Sequence, residues 1–279
     1  MPDPTTPSLP GPFRAIAPLA QGGFGVVWRG EHRDADGHVT PVAIKLLHAR
    51  RASALLQQEV RALAAVRHPN IVEVYDTGLT DASEPYLVME MADQGTLRDH
   101  MTAPLPVKPI LRALLRALAH AHARGLVHRD IKPANLLRFS TAPTWRLADF
   151  GIAYALRHDT ANANVYSGTP GYMAPEQWQG SGRDIGPWTD LYSVGCLAWS
   201  LLTGLPARAR FEIAPPSFPE PVARWLAGLL NPDPRARIGY AVEALWQLDD
   251  LPELMSTPRA VSADATVTAM ETALETAAL

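Results

Sequence analysis

A loop rich in glycine lies near the start of the chain, between two short apolar stretches. Residues 19–27 read Leu-Ala-Gln-Gly-Gly-Phe-Gly-Val-Val, with glycines at 22, 23 and 25. Glycine has no Cβ, so the backbone amides of such a loop can approach phosphate oxygens closely. A plain hairpin turn has the same composition, and the loop by itself therefore indicates either a phosphate-covering loop or an ordinary turn.

A lysine follows this loop at the end of an apolar run. Val42, Ala43 and Ile44 precede Lys45, and these residue types favour a strand. A lysine in this place either faces water or supplies a fixed ammonium group to a bound phosphate. The second role requires a carboxylate that holds the ammonium, and Glu59 on the next predicted helix is the best candidate.

Three short strings that contain charged residues follow in a fixed order, beginning near the middle of the chain. They are His128-Arg129-Asp130-Ile131-Lys132-Pro133-Ala134-Asn135, then Asp149-Phe150-Gly151, then Ala174-Pro175-Glu176. A chance run of surface charge does not produce three such strings in this order at these intervals.

The strings resemble those of the protein kinase family in its eukaryotic-like form, which bacteria use as serine/threonine kinases, and the resemblance covers about residues 13–251. It implies that Asp130 accepts or orients the proton of a substrate hydroxyl. Lys132 would stabilise the phosphoryl group in transfer. Asn135 and Asp149 would hold Mg²⁺, a hard cation that prefers oxygen ligands.

The same resemblance implies a site for ATP. Lys45, paired with Glu59, would bind the α- and β-phosphates. Met89 matches the gatekeeper at the back of the pocket, and Glu90 and Met91 match the hinge whose backbone meets adenine. The further implied contacts are Leu19, Gly22, Gly25, Val27, Ala43 and Leu137, of which Val27, Ala43 and Leu137 would sandwich the adenine ring.

One position departs from the family pattern, and two other classes of function have to be weighed. Ala20 stands where the family usually has glycine, which predicts a modest effect on nucleotide affinity with activity retained. A pseudokinase scaffold is the first alternative, and the intact catalytic positions argue against it. A small-molecule phosphotransferase is the second, and such enzymes generally lack the 174–176 string and the Thr169 platform.

The acceptor specificity and the regulation are also implied by the resemblance. Lys132 and Thr169 match serine/threonine kinases rather than tyrosine kinases, and Thr169 would lie near Asp130. Arg129 would receive a phosphate on the activation segment, where it would order the loop. Thr160 and Ser167 are the candidate autophosphorylation sites, with ordinary loop hydroxyls as the alternative reading.

Two further matches are structural. Asp190 would anchor the backbone of the catalytic loop, and Arg237 would pair with Glu176. His120 and His122 receive no site role, because residues two apart on a helix do not share a face.

The elements needed to position these residues form an α+β, bilobal protein kinase fold. Strands are predicted around residues 26–28, 42–47, 71–75 and 86–89, with one helix over 52–66. Helices are predicted over 110–123, 188–203, 221–230 and 240–248. The implied domains are a disordered arm at 1–12, a small lobe at 13–92, a helical lobe at 93–251 and a Thr/Ala-rich tail at 252–279.

Composition limits the other possibilities. The 279 residues are 47% hydrophobic and 19% charged, with a net charge of −3, which gives no reason to expect binding to nucleic acid. Cys196 is the single cysteine, so a disulfide framework is excluded and a reducing, cytoplasmic location is expected. Neither a signal peptide nor a membrane-spanning run is predicted.

The expected partners are proteins with serine or threonine acceptors, and transient self-association is compatible with a kinase of this kind. The tail carries five threonines, of which Thr268 and Thr272 each precede a glutamate by three residues. It is interpreted as a solvated linker. The alternative is a phosphorylated segment that recruits a phosphothreonine-binding partner.

Overall fold

The computed structural model describes residues 6–22, 25–47, 66–150, 169–179, 184–207, 210 and 217–259. These residues form a small lobe built on an antiparallel sheet and a larger lobe that is mainly helical. The predicted helix that carries Glu59 lies outside the described residues, as do Thr160 and Ser167.

The sheet of the small lobe brings the glycine loop and Lys45 together. Its five strands lie in the order β1-β2-β3-β5-β4, and every neighbouring pair is antiparallel. Val27 is paired with Lys45, and Ala43 with Met89. The strands are β1 Phe13–Gly22, β2 Gly25–Arg33, β3 Val39–Leu47, β4 Val74–Leu79 and β5 Pro85–Glu90.

The strand predicted at residues 71–75 begins later than expected, at Val74. Ile71 instead forms a bridge to Leu147 in the larger lobe, and the Val72 amide donates a 2.9 Å hydrogen bond to the Leu147 carbonyl. The apolar residues at 71 and 72 are therefore buried by contact between the lobes rather than by membership of the sheet.

The larger lobe is built around two long helices, α2 and α4. One stripe of α2 is fully buried, as its helical spacing of leucines predicts, whereas α4 is buried on all sides from Thr189 to Leu201. Gly204 ends α4 in the left-handed conformation, with φ 69°. The elements are α1 Leu97–His100, α2 Val107–His122, β6 Leu136–Arg138, β7 Trp145–Leu147, α3 Pro175–Trp178, α4 Pro187–Thr203, α5 Glu220–Leu229 and α6 Ala241–Asp250.

Residues beyond both predicted limits of the kinase domain pack on the domain, in the arm that was predicted to be disordered and at the start of the tail that was interpreted as a linker. Leu9 packs against the apolar cluster of the small lobe, and the Asp81 amide donates to the Ser8 carbonyl. At the other end, residues 252–259, here called the C-terminal strap, cross the larger lobe. Backbone hydrogen bonds of 2.8–2.9 Å join the strap to residues 101, 105, 107 and 201.

No helix among the described residues is both long enough and apolar enough to cross a membrane. The side chains of α4, the most apolar of the long helices, pack in the core of the larger lobe.

Ser256 provides a test of the strap. Its buried hydroxyl accepts a 2.8 Å hydrogen bond from the Leu105 amide. We expect Ser256→Ala to lower the free energy of unfolding by about 1–3 kcal/mol, because a buried donor loses its partner. Thr257→Val is the control, since the Thr257 hydroxyl is exposed and its loss should cost about 0.5 kcal/mol or less. Equal urea denaturation midpoints for the two variants would contradict a structural role of the strap.

Candidate active site

The backbone of the catalytic loop is anchored by Asp190, as the sequence predicts. Asp190 lies in the first turn of α4 and is completely buried. Its Oδ2 accepts a 2.8 Å hydrogen bond from the His128 amide, and its Oδ1 accepts one of 2.7 Å from the Arg129 amide. Arg129 has φ 69°, a conformation that costs energy for a residue other than glycine. The carboxylate therefore holds the loop in a conformation that it would not adopt alone.

His122 is a member of this site that the sequence reasoning missed. It ends α2, its side chain is 7% exposed, and its Nε2 lies 2.8 Å from Oδ2 of Asp190. His120, two residues earlier, turns instead toward the ring of His68 at 4.9 Å. Two histidines on different faces of one helix thus contact different neighbours, and their spacing alone gave no signal for either contact.

The surroundings of Asp190 keep its carboxyl group ionised. Burial raises its pKa, but hydrogen bonding and charge from His122, together with His128, outweigh burial and lower the pKa below its usual value. An ionised group with every oxygen hydrogen-bonded can be buried without a large penalty.

Asp130, Lys132 and Thr169 form a closed hydrogen-bonded triangle. The Thr169 hydroxyl donates to Oδ1 of Asp130 at 2.9 Å and accepts a hydrogen bond from Nζ of Lys132 at 2.8 Å. The Lys132 ammonium lies 3.1 Å from Oδ2 of Asp130. The structure thus brings together two residues of the catalytic string and a threonine nearly forty positions away.

The charge of Asp130 is stabilised by the same neighbours. Burial raises its pKa, but the charges of Lys132 and His128 and the hydrogen bonds from Thr169 and Lys132 lower it below the usual value. Asp130 is therefore a carboxylate at neutral pH, suited to accept a hydrogen bond from a hydroxyl but only a weak base.

Lys45 reaches across from the small lobe to Asp149. Lys45 is 5% exposed, and its Nζ lies 2.7 Å from Oδ2 of Asp149. Asp149 has φ 63° and precedes Phe150, whose ring contacts His128 at 4.7 Å between centroids. The pair joins a strand of the small lobe to the catalytic region of the larger lobe. The expected pairing of Lys45 with Glu59 stays a prediction.

The two predicted Mg²⁺ ligands lie at the same end of a short hairpin. Strands β6 and β7 pair, and the Ala148 amide donates a 2.8 Å hydrogen bond to the Asn135 carbonyl, so Asp149 follows directly beyond Asn135. Nδ2 of Asn135 donates to the backbone oxygen of Asp130 at 2.8 Å. With its nitrogen used in this way, the side chain of Asn135 presents its oxygen, and Asp149 presents a carboxylate. This donor set fits a hard divalent cation.

The residues predicted to sandwich adenine share one apolar cluster. Val27, Ala43 and Leu137 belong to it with Met89, and so does Ala92, which sequence reasoning did not select. A small residue directly after the hinge was the only signal for Ala92. Leu19 is 51% exposed and lies outside the cluster.

The predicted hinge residues differ from each other in orientation. Met91 is half-buried, whereas the side chain of Glu90 is buried against Glu73 and Arg146. The Glu90 side chain is therefore directed away from the residues predicted to sandwich adenine, and the Glu90 amide already donates to the Glu73 carbonyl.

The glycine loop contains two glycines with different constraints. A Cβ on Gly25 would lie 1.9 Å from the Leu46 carbonyl oxygen, so only glycine fits there. A Cβ on Gly22 would meet nothing within 4 Å, so the space above Gly22 is open.

A second anchor holds the end of the activation region. Arg237 binds both oxygens of Glu176, at 2.8 and 3.2 Å, which confirms the predicted pair. The Thr189 hydroxyl adds a 2.9 Å hydrogen bond to Glu176. The side chains of Arg237 and Glu176 are 0% and 4% exposed, so this is a buried, bidentate ion pair of the kind that fixes geometry.

Comparison with known proteins decides the family. Residues 13–246 match the family model described as the protein kinase domain. The chain belongs to the protein kinase family. Both the resemblance seen in the sequence and the α+β bilobal fold are thereby confirmed.

Two bacterial protein kinases illustrate the similarity. Serine/threonine-protein kinase Pkn1 of Myxococcus xanthus is 41% identical over 207 residues, which are 70% of this chain and 29% of Pkn1. PknL of Mycobacterium tuberculosis is 39% identical over 199 residues, which are 67% of this chain and 48% of PknL. The chain thus spans less than half of the length of either relative.

A solved structure agrees with the fold. The crystal structure of the Mycobacterium tuberculosis PknI kinase domain superposes with a TM-score of 0.65 at 26% identity, covering 88% of this chain and 98% of that domain.

The two glycines of the loop allow folding and nucleotide binding to be separated. We expect Gly25→Ala to destabilise the kinase by about 1–3 kcal/mol, because its methyl group would overlap the Leu46 carbonyl. Gly22→Ala should melt like the wild type and change only the affinity for nucleotide. Differential scanning fluorimetry without nucleotide measures the melting temperature of both variants. A lower melting temperature for Gly22→Ala would refute the conclusion that the space above Gly22 is open.

Asp190 allows a test of the loop anchor. Asn in its place would turn an amide nitrogen toward donors that require an oxygen, so we expect Asp190→Asn to cost about 2–4 kcal/mol of stability. Asp249→Asn is the matched control, since Asp249 is also hydrogen-bonded but is exposed. Chemical denaturation of both variants measures the difference, and equal values would show that the anchor is dispensable.

Proposed function

We propose that this chain is an ATP- and Mg²⁺-dependent kinase that transfers the γ-phosphoryl group of ATP to serine and threonine hydroxyls of proteins, including its own. The observation that carries the proposal is the triangle of Asp130, Lys132 and Thr169, together with the Lys45–Asp149 pair that joins the small lobe to the catalytic region. The names of its relatives, which are serine/threonine-protein kinases, support the same activity.

Asp130 serves the acceptor hydroxyl. Its ionised carboxylate accepts the hydrogen bond of the hydroxyl and orients the oxygen toward the γ-phosphorus. It takes the proton as the new O–P bond forms, while the bond from the γ-phosphorus to the β,γ-bridging oxygen breaks and ADP leaves. Lys132 lies 3.1 Å from this carboxylate and places positive charge where the phosphoryl oxygens gain negative charge. Orientation and charge neutralisation, rather than strong basicity, are the contributions of these two residues.

The nucleotide side of the reaction uses residues of both lobes. Val27, Ala43 and Leu137 offer an apolar slot for adenine, and Lys45 offers an ammonium group for the α- and β-phosphates. Asn135 and Asp149 would hold Mg²⁺, which neutralises phosphate charge when it is bound. In this arrangement Asp149 serves both Lys45 and the cation.

The hydrogen bond between Lys132 and Thr169 favours serine and threonine acceptors. It fixes the floor beneath Asp130 close to the carboxylate. The short side chain of serine or threonine fits between this floor and the substrate backbone, whereas the longer and wider side chain of tyrosine needs more space there. Protein substrates with serine or threonine acceptors are therefore the expected partners.

Regulation is proposed to act on Arg129. Its backbone is held on both sides, by Asp190 at the amide and by Gln177 at the carbonyl, where Nε2 of Gln177 donates at 2.8 Å. A phosphate on Thr160 or Ser167 would form charge-assisted hydrogen bonds with the guanidinium and order the segment.

A reducing cytoplasmic compartment and two kinds of association complete the proposal. Cys196 is buried, and burial raises the pKa of its thiol to about 12, so a disulfide through it is not expected. Transient self-association would serve autophosphorylation. Phosphorylation of the tail beyond residue 259 would recruit a phosphothreonine-binding partner. The alternative interpretation of the tail is a linker.

Radiolabelled ATP with Mg²⁺ tests the activity directly. We expect wild-type protein to label itself and a generic protein substrate, and Asp130→Asn to lower the rate by about 10²- to 10⁴-fold, because the acceptor loses its base. Asp250→Asn, an exposed carboxylate at the end of α6, is the control and should react like the wild type.

The products distinguish the alternatives. Site mapping should find phosphoserine and phosphothreonine, and an unmodified segment 151–168 in an active enzyme would remove the proposed role of Arg129. A folded wild type without transfer would favour a pseudokinase. Phosphate found only on a small metabolite would favour a small-molecule phosphotransferase.

A further inference from the structure

The hinge residue Glu90 directs its carboxylate to the rear of the nucleotide site. Met89, its neighbour in β5, belongs to the apolar cluster that contains Val27 and Leu137. Side chains alternate along a strand, so Glu90 faces the opposite side. There its carboxylate, 10% exposed, contacts residues of both lobes.

On the side of the small lobe, Glu90 forms two hydrogen bonds with one residue, Glu73. The Glu90 amide donates a 3.0 Å hydrogen bond to the Glu73 carbonyl, and the Glu73 amide donates one of 2.9 Å to Oε1 of Glu90. Glu73 directly precedes β4. The orientation of the Glu90 carboxylate is therefore fixed by the backbone of the small lobe, and its second oxygen is turned toward the larger lobe.

On the side of the larger lobe, Arg146 is held ready for that oxygen. Its guanidinium lies over the ring of Phe139 at 4.1 Å, and it donates 3.3 Å hydrogen bonds to the Pro143 carbonyl and the Thr141 hydroxyl. Nη1 of Arg146 forms an ion pair with Oε2 of Glu90. A planar guanidinium fixed by three neighbours loses little freedom when it binds a carboxylate.

The pair joins the hinge to the floor of the adenine slot. Arg146 lies in β7 directly opposite Leu137 in β6. A cavity of about 360 Å³ opens beside the pair, and side chains do not fill it. Beside this cavity, the ion pair adds a side-chain contact between the lobes to the backbone hydrogen bonds that join residues 70 and 72 to Leu147. The cavity is lined by Arg67, His68, Pro69, Ile71, Glu73, Glu90, Pro143 and Arg146.

We propose that the Glu90–Arg146 ion pair is a positioning device, which sets the separation between the hinge backbone and Leu137 and thereby the affinity for ATP. The inference rests on the proposed function. The contacts of the two side chains are with Glu73, Thr141, Pro143 and Phe139 rather than with Val27, Ala43 or Leu137, so we infer that both act through the elements that carry the slot. The side chains of Arg146 and Glu90 are 16% and 10% exposed, so removing one partner leaves a poorly solvated charge.

The experiment compares Glu90→Gln, Arg146→Gln, the double variant and Arg146→Lys by steady-state kinetics and by binding of a non-hydrolysable ATP analogue with Mg²⁺. Gln at position 90 can still accept the hydrogen bond from Glu73, so the variant removes only the ion pair. We expect each single Gln variant to raise KM for ATP by about tenfold, with kcat at saturating ATP within about twofold of wild type. Arg146→Lys keeps the charge and should restore most of the affinity.

The double variant tests coupling. Because neither charge is then left without its partner, its KM should rise by less than the product of the single effects. Arg67→Gln is the matched control, since Arg67 pairs with Glu73 on the wall of the same cavity but is 62% exposed and does not reach the hinge. It should leave KM for ATP unchanged.

The outcomes separate this inference from the proposed function. Wild-type protein that binds no nucleotide would end both. A second outcome is that the single variants melt at lower temperature but bind ATP as well as a nucleotide-binding wild type does. That result would overturn the positioning role and leave the kinase assignment intact. Additive effects in the double variant, or an equal rise in KM for Arg67→Gln, would also overturn it. If the single Gln variants do not fold, Arg146→Lys and the double variant decide by the same criterion.

Discussion

The buried carboxylate of Asp190 is the constraint on which the catalytic loop depends. It lies in the middle of the protein without exposure to water, yet it stays charged because two backbone amides and the His122 ring contact its oxygens. Arg129 is thereby held in the left-handed conformation, and the chain direction that follows brings Asp130 to Thr169. The position of the Asp130 carboxylate is thus determined by a charge on helix α4.

Other buried charges of the described residues at the site are likewise stabilised by a specific partner. Lys45 is paired with Asp149, and Arg237 with Glu176. Each pair joins elements that are distant in sequence. Removing one partner lowers the stability of the fold by more than the formation of the pair raises it. Such pairs specify geometry more than they add stability, which suits a cleft whose residues come from two lobes.

The sequence predicted residues whose role depends on their own chemical identity. The catalytic string and the aspartate at 190 could be placed because they resemble the motifs of the protein kinase family, and the leucine spacing of α2 needs only helical geometry. Strand β4 was misplaced because Ile71 has the composition of a sheet residue, while contact with Leu147 in the other lobe decides its conformation. Residue type cannot tell these two kinds of burial apart.

Contacts between residues of common type could not be predicted. Glu90 and Arg146 are 56 positions apart, and neither residue stands out until the fold brings the hinge against the hairpin. The strap has a composition typical of a linker, and backbone groups, which every residue carries, attach it to the larger lobe. His122 and His120 lie on different faces of the same helix, so that His122 contacts Asp190 and His120 contacts His68. In each case the information lies in the tertiary pairing, so the motifs locate the reacting groups, while contacts outside the motifs determine how rigidly those groups are held.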